Sequence, residues 1–141
     1  MILYLDTSAW VKLYVHELGT KELRAHASKA EVLATSVVAY PEARATFARV
    51  KAQGISTAAK HQQRLAQLNL DWENLLRIEL VPSVVRTAGD LAEVYGLRGF
   101  DSIHLASVLC LKEKTSTPLY FAVFDLRLRV AAERAGLVVV P

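Results

Sequence analysis

The chain is 141 residues long and 52% of them are apolar, which is a common size for one domain and enough for one packed core. Seventeen basic against fourteen acidic residues leave a formal charge of +3, which admits an anionic partner without requiring one, while positive mean hydropathy and low net charge exclude a disordered chain. A single cysteine, Cys110, excludes an intramolecular disulfide framework, and no apolar run approaches the roughly 20 residues of a membrane helix. The N-terminus also lacks a basic leader followed by an apolar core, so the expectation is one soluble cytoplasmic domain over 1–141 that engages no membrane.

Residues 2–5 form an apolar, β-prone run ending at Asp6, and Thr7-Ser8 lead into residues 9–14, whose spacing suits a helix. Gly19-Thr20 open a second helix to about residue 30, and residues 32–35 read as a buried strand. Between 36 and 51, Ala43, Phe47 and Val50 repeat at helical spacing, with Glu42, Thr46 and Arg49 on an adjacent polar stripe. Pro41 allows a helix that begins there or one that begins near Ser36 and kinks. A helix free of Pro and Gly fits 56–76, and 78–81 read as a third strand or an extended link. Residues 84–95 read as a helix closed by Gly96, and 101–112 as a central helix, apolar nearly all round. Residues 112–118 read as the one mobile stretch, with Cys110 a small buried hydrophobe before it. A strand over 119–124, a helix over 126–135 ended by Gly136 and a strand over 137–140 complete the chain. This alternation predicts an α/β sandwich around a mainly parallel sheet, buried on both faces, with ligands bound beyond the carboxyl ends of the strands.

Asp6 and Asp125 each follow an apolar strand and open a helix, so a parallel sheet brings both to one edge. Asp101 heads the central helix and can reach the same edge, and Glu42 lies on the polar stripe of its own helix. Singly, each Asp reads as a helix N-cap and Glu42 as a solvated helix former. Gathered together they repel, and each raises the others' pKa unless a cation neutralises them. Oxygen-only ligands suit Mg²⁺, with Mn²⁺ as the alternative. Zinc is disfavoured by the single cysteine and by four histidines, His16, His26, His61 and His104, without ligand spacing.

The segments Leu5-Asp6-Thr7-Ser8-Ala9-Trp10, Pro41-Glu42, Gly99-Phe100-Asp101-Ser102-Ile103-His104-Leu105-Ala106 and Phe124-Asp125-Leu126-Arg127-Leu128, with Ala135-Gly136-Leu137 after them, closely resemble PIN-domain ribonucleases, especially VapC-type toxins of toxin–antitoxin pairs. The resemblance runs in order over the whole chain, while residues 53–94 carry no motif. It implies a PIN-like α/β/α sandwich in which Asp6, Glu42, Asp101 and Asp125 bind Mg²⁺ or Mn²⁺ and hydrolyse phosphodiester bonds of single-stranded or structured RNA. Ser8 matches a small polar residue that supports the first Asp. Many relatives carry Thr or Ser two residues before the fourth acid, where this chain has Val123-Phe124. The resemblance also implies a homodimer and a small antitoxin that inserts a segment near the acids.

Three other readings differ in chemistry. A phosphatase with Asp6 as nucleophile wants a second acid two residues on, where Ser8 stands. A silent PIN-like scaffold that binds RNA or protein is disfavoured because none of the four acids is missing. Nucleotide-binding modules want a G-x-G-x-x-G or a P-loop, and neither is present. Lys12, Arg44, Arg49, Arg98, Arg127 and Arg129 lie close in sequence to the acids and are candidates for phosphate contact. His104, three residues after Asp101, either faces the site or, as the apolar helix favours, is a packed, hydrogen-bonded histidine. Trp10, Tyr14, Tyr40 and Phe47 belong either to the core or to a partner surface.

Overall fold

Strand β1 (Ile2–Leu5) is apolar at every position because both its faces are covered: Ile2 and Tyr4 enter one apolar layer, Leu3 and Leu5 the other. In the computed structural model, which describes residues 1–141, β1 is followed by α1 (Thr7–Lys12), α2 (Thr20–Ala27), β2 (Val32–Ser36), α3 (Ala39–Ala52), α4 (Ala58–Asn74), β3 (Leu76–Ile78), α5 (Pro82–Tyr95), α6 (Gly99–Lys114), β4 (Leu119–Ala122), α7 (Leu126–Arg134) and β5 (Val138–Val140). The five strands form one sheet in the order β3-β2-β1-β4-β5, and every pairing is parallel. Helices α1 to α4 cover one face around Trp10, Leu23, Phe47 and Leu68. Helices α6 and α7 cover the other around Leu105, Val108, Leu128 and Ala132, and α5 packs on α6 through Val84 and Ala88. The α/β sandwich with a parallel sheet is therefore the observed architecture.

The order of strands decides where a site can form. From β1 the chain winds outward to β2 and β3, then α5 and α6 carry it back over the second face to β4 on the other side of β1. Such a reversal opens a crevice at the carboxyl ends of the two strands that flank it, here β1 and β4. Asp6 and Asp125 follow those two ends.

Several elements differ from the sequence expectation for local reasons. Helix α3 begins at Ala39, so Pro41 falls in its first turn, where an N–H would have no intrahelical acceptor, and no kink is needed. Helix α4 ends at Asn74 with Leu75 extended (ψ 143°), which moves β3 two residues ahead of the expected 78–81 and leaves 79–81 as the link into Pro82 at the start of α5. Helix α6 starts at Gly99, so Asp101 sits in its first turn rather than at its cap. It continues to Lys114, and the rest of 112–118 is a link in which Thr117 N–H bonds Thr115 Oγ1 (3.0 Å) and the Pro118 carbonyl accepts from Ile2 N–H (2.8 Å). Cys110 is half-buried against the α5–α6 contact. Trp10 and Phe47 are core, whereas Tyr14 and Tyr40 are half-buried. Tyr14 donates to Asp71 Oδ2 (2.6 Å) and tethers α1 to α4. No helix is long and apolar enough to cross a membrane.

Candidate active site

Asp6 opens α1 as its N-cap and is 4% exposed. Its Oδ1 accepts both the Ala9 N–H (2.7 Å) and the Ser8 hydroxyl (2.9 Å). Asp125 repeats the arrangement after β4, with Oδ1 accepting from Leu128 N–H (2.9 Å), but is exposed. Glu42, on the first turn of α3, is held through one oxygen as well: Oε1 accepts the Thr7 hydroxyl at 2.6 Å, and His104 Nε2 lies 3.3 Å away. Thr7 Oγ1 is in turn 2.9 Å from His104 Nε2, and the Tyr4 hydroxyl is 3.0 Å from His104 Nδ1. One assignment satisfies every group: Tyr4 donates to Nδ1, Nε2–H donates to Thr7, and Thr7 donates to Glu42. A buried chain from β1 through α6 and α1 thus ends on a carboxylate of α3.

Asp6, Glu42, Asp101 and Asp125 line one cleft of about 590 Å³, together with Thr7, Ser8 and His104. It sits at the β1/β4 crevice that the topology opens. Burial, opposed by His104, Ala9 and Ser8 and reinforced by Asp101, holds the Asp6 carboxyl above its ordinary value. Burial and then the neighbouring Asp125 raise Asp101, with Glu42 adding to them against His104 and Arg98; no hydrogen bond relieves it. Burial pushes Glu42 up too, but the bonds from His104 and Thr7 outweigh it and leave the carboxyl below its usual range. Two acids at the centre of the cleft are therefore short of positive charge.

No three of the Asp, Glu, His and Cys side chains converge as a ready-made metal cage. The donor set nevertheless fits a hard divalent ion, since Mg²⁺ keeps several waters and takes only one or two carboxylates directly. The hydrogen-bond pattern fits as well. Asp6, Glu42 and Asp125 each bond the protein through a single oxygen, so Asp6 Oδ2, Glu42 Oε2 and Asp125 Oδ2, like both oxygens of Asp101, have no protein partner.

Of the basic residues flagged in the sequence, Lys12, Arg49 and Arg98 reach this cleft and Arg127 lines the groove beside it, while Arg44 and Arg129 line neither. Two residues carried little sequence signal: Thr7 of the cleft looked like part of a helix start, and Arg134, which lines the adjoining groove, lies nine residues beyond Asp125. His104 is both packed, at 2% exposure, and a wall of the cleft. Phe124, between β4 and Asp125, closes one side of the neighbouring helix start. Its ring lies under the Lys12 ammonium (4.7 Å), which also pairs with Glu17 (2.7 Å), and it packs so closely on Gly19 that a Cβ there would come within 2.6 Å of it.

A parallel α/β sheet with an acidic cleft at its switch point defines the class, and the PIN-domain profile matches residues 3–133: the chain belongs to the PIN-domain family. Within that family it is 35% identical over 147 aligned positions to Ribonuclease VapC45 of Mycobacterium tuberculosis, covering 99% of this chain and 95% of that protein. Its fold is similar to that of FitAcB from Neisseria gonorrhoeae, with a TM-score of 0.66, 20% identity and coverage of 100% and 97% of the two chains. A toxin-antitoxin complex from Klebsiella pneumoniae contains a chain that matches with a TM-score of 0.60 at 16% identity, over 87% of this chain and 86% of that one.

Proposed function

We propose that this chain is a metal-dependent endoribonuclease, the toxin of a toxin–antitoxin pair, and that Asp6, Glu42, Asp101 and Asp125 hold Mg²⁺, or Mn²⁺ in its place, for hydrolysis of single-stranded RNA. The observation that carries the reading is the meeting of four carboxylates from four different elements in one cleft, with Asp6 and Asp101 raised by burial and mutual repulsion. A divalent ion bound there supplies a lowered pKa for water and neutralises charge on the attacked phosphate. The chain's own groups do the rest. Asp6 Oδ2 and Asp101 face the centre as the principal ligands, while Glu42 is turned by Thr7 and His104 so that Oε2 is the oxygen left over. One of the four carboxylates accepts the proton of the attacking water. No protein nucleophile is required.

The relatives' names support the activity, since VapC45 is called a ribonuclease. The similarity to a chain from a toxin-antitoxin complex supports a small antitoxin as partner. In this reading residues 1–141 act as one domain, as a homodimer, in the cytoplasm with their substrate. The test is cleavage of a labelled single-stranded RNA by protein freed of any bound partner. Mg²⁺ or Mn²⁺ should support cutting, EDTA should stop it, and Asp6→Asn and Asp101→Asn should each abolish it while retaining the fold by circular dichroism. Wild-type protein that cuts no RNA with either metal, or Asn variants that cut equally well, would overturn the proposal.

A further inference from the structure

Beside the acid cleft runs a second groove of about 570 Å³ between the end of α5, the start of α6 and one side of α7. The two share Arg98, Asp101 and Asp125, so the groove is a continuation of the cleft. Its character is different. Arg98, Arg127 and Arg134 line it, and none of the three is in an ion pair; the only hydrogen bond among them runs from Arg127 to the Gly96 carbonyl (3.3 Å). Between them lie Val94 and Leu126, 72% and 74% exposed, and the half-buried ring of Tyr95.

On the other rim of the cleft positive charge is sparser. Lys12 is neutralised by Glu17, and Arg49 donates to Thr46. A phosphodiester strand with one phosphate at the acids carries further phosphates on both sides, and each needs positive charge to offset the field of four carboxylates. Three guanidinium groups outside any ion pair line the groove, against Arg49 alone on the other rim. Exposed apolar and aromatic surface between unpaired arginines suits unstacked bases linked by phosphates.

We infer that this groove is the track for the nucleotides flanking the scissile phosphate on one side, with Arg98, Arg127 and Arg134 on the phosphates and Tyr95 against a base. The inference rests on the ribonuclease reading and adds to it a polarity: substrate leaves the cleft toward α7. It also separates the chain's arginines into two sets. Arg127 and Arg134 touch substrate, whereas Arg129, paired with Glu133 at 3.4 Å on the same helix, does not.

The test measures binding rather than cutting. Anisotropy of a fluorescent single-stranded RNA is followed with the Asp6→Asn protein in Mg²⁺, over a range of salt. Arg127→Ala and Arg134→Ala in that background should each weaken binding on the order of tenfold at low salt and lower the slope of log Kd against log salt by about one. Arg129→Ala should change neither. Tyr95→Leu should weaken binding on the order of tenfold, and Tyr95→Phe should restore it. Arg134 makes no hydrogen bond or ion pair within the protein, so its variant keeps the test valid if Arg127→Ala folds poorly. RNA affinity unchanged in both arginine variants overturns the inference. So does a change confined to antitoxin binding or oligomeric state, which would make the groove a protein interface. Wild-type protein that cuts RNA while the groove variants bind normally refutes the track alone. Wild-type protein that neither binds nor cuts RNA refutes the reading beneath it.

Discussion

Thr7→Val removes one hydroxyl and almost no volume, and it isolates what the chain from Tyr4 to Glu42 contributes. The wild-type hydroxyl donates to Glu42 Oε1 at 2.6 Å and receives His104 Nε2–H at 2.9 Å. Without it, Glu42 keeps only the longer 3.3 Å approach of His104. A hydrogen bond to a charged group is worth about 1.5–3 kcal/mol when its partner is left dry, and the Glu42 side chain is 27% exposed, so water recovers part of the loss. The low end applies, roughly 1.5 kcal/mol, or about tenfold in any property that needs Glu42 correctly turned. That lies within the roughly 10–100-fold range for groups that orient metal ligands. Isothermal titration with Mn²⁺ should show the affinity falling by about this factor, RNA cleavage at subsaturating metal should fall with it, and Thr7→Ser should recover both. Equal Mn²⁺ affinity in Thr7→Val and wild type refutes the reasoning. A Thr7→Ser variant as weak as Thr7→Val would mean that the methyl group matters and the hydroxyl does not.

Burial raises the Asp6 carboxyl, so the folded metal-free protein holds that proton more tightly than the unfolded chain does. The associated stability is present below the unfolded pKa and is lost as pH rises through the folded one. In EDTA, Asp6→Asn should therefore raise Tm near neutral pH, on the order of 3 °C for each ~1 kcal/mol relieved at this chain length, and flatten the dependence of Tm on pH above the ordinary Asp range; an unchanged pH profile counts against it. Mn²⁺ at a hundred times its Kd should raise the wild-type Tm by about 9 °C, since ~2.7 kcal/mol of binding linkage meets an unfolding entropy near 0.3 kcal/mol per kelvin; Asp101→Asn should lose most of that shift in a thermal melt. Gly19→Ala places a Cβ at φ 89° and within 2.6 Å of the Phe124 ring, and should cost about 1–3 kcal/mol. Thermal denaturation at wild-type Tm for this variant would show that neither strain nor clash is real.

The sheet was legible because parallel strands buried on both faces must be apolar throughout, and 2–5, 32–35 and 119–124 carry that pattern within a residue or two of β1, β2 and β4. β3 was harder. Its Leu76-Arg77-Ile78 is short and half polar, and α4 ends without a Gly or Pro to mark the stop. The positions of Asp6 and Asp125 followed from strand ends alone, whereas the nearness of Glu42 and Asp101 depends on how α3 and α6 pack, which periodicity does not encode. Thr7 left no mark in the sequence because its role is fixed by partners 35 and 97 residues away. His104 posed a choice between core and site that the structure dissolves, since its ring is packed on one side and hydrogen-bonded toward the cleft on the other.

The same dissolution applies to the acids. Asp6 and Asp125 looked like helix caps, and they are caps: Oδ1 of each accepts a backbone N–H of the helix that it opens. A cap consumes one lone-pair direction of one oxygen, and a carboxylate has two oxygens. The bond that satisfies the helix engages Oδ1 and leaves Oδ2 without a protein partner in a side chain that lines the cleft. Glu42 reaches the same state by another route, with Thr7 and His104 sharing Oε1 in place of a backbone donor. Asp101, in the first turn of α6, has no such bond to either oxygen. Under the proposed metal-binding reading, three acids held by hydrogen bonds and one without any would leave Asp101 as the ligand free to adjust to the ion. If the proposed metal site is right, removing a cap by Asp125→Ala should cost both helix stability and metal affinity, whereas Asp125→Asn should cost mainly the second.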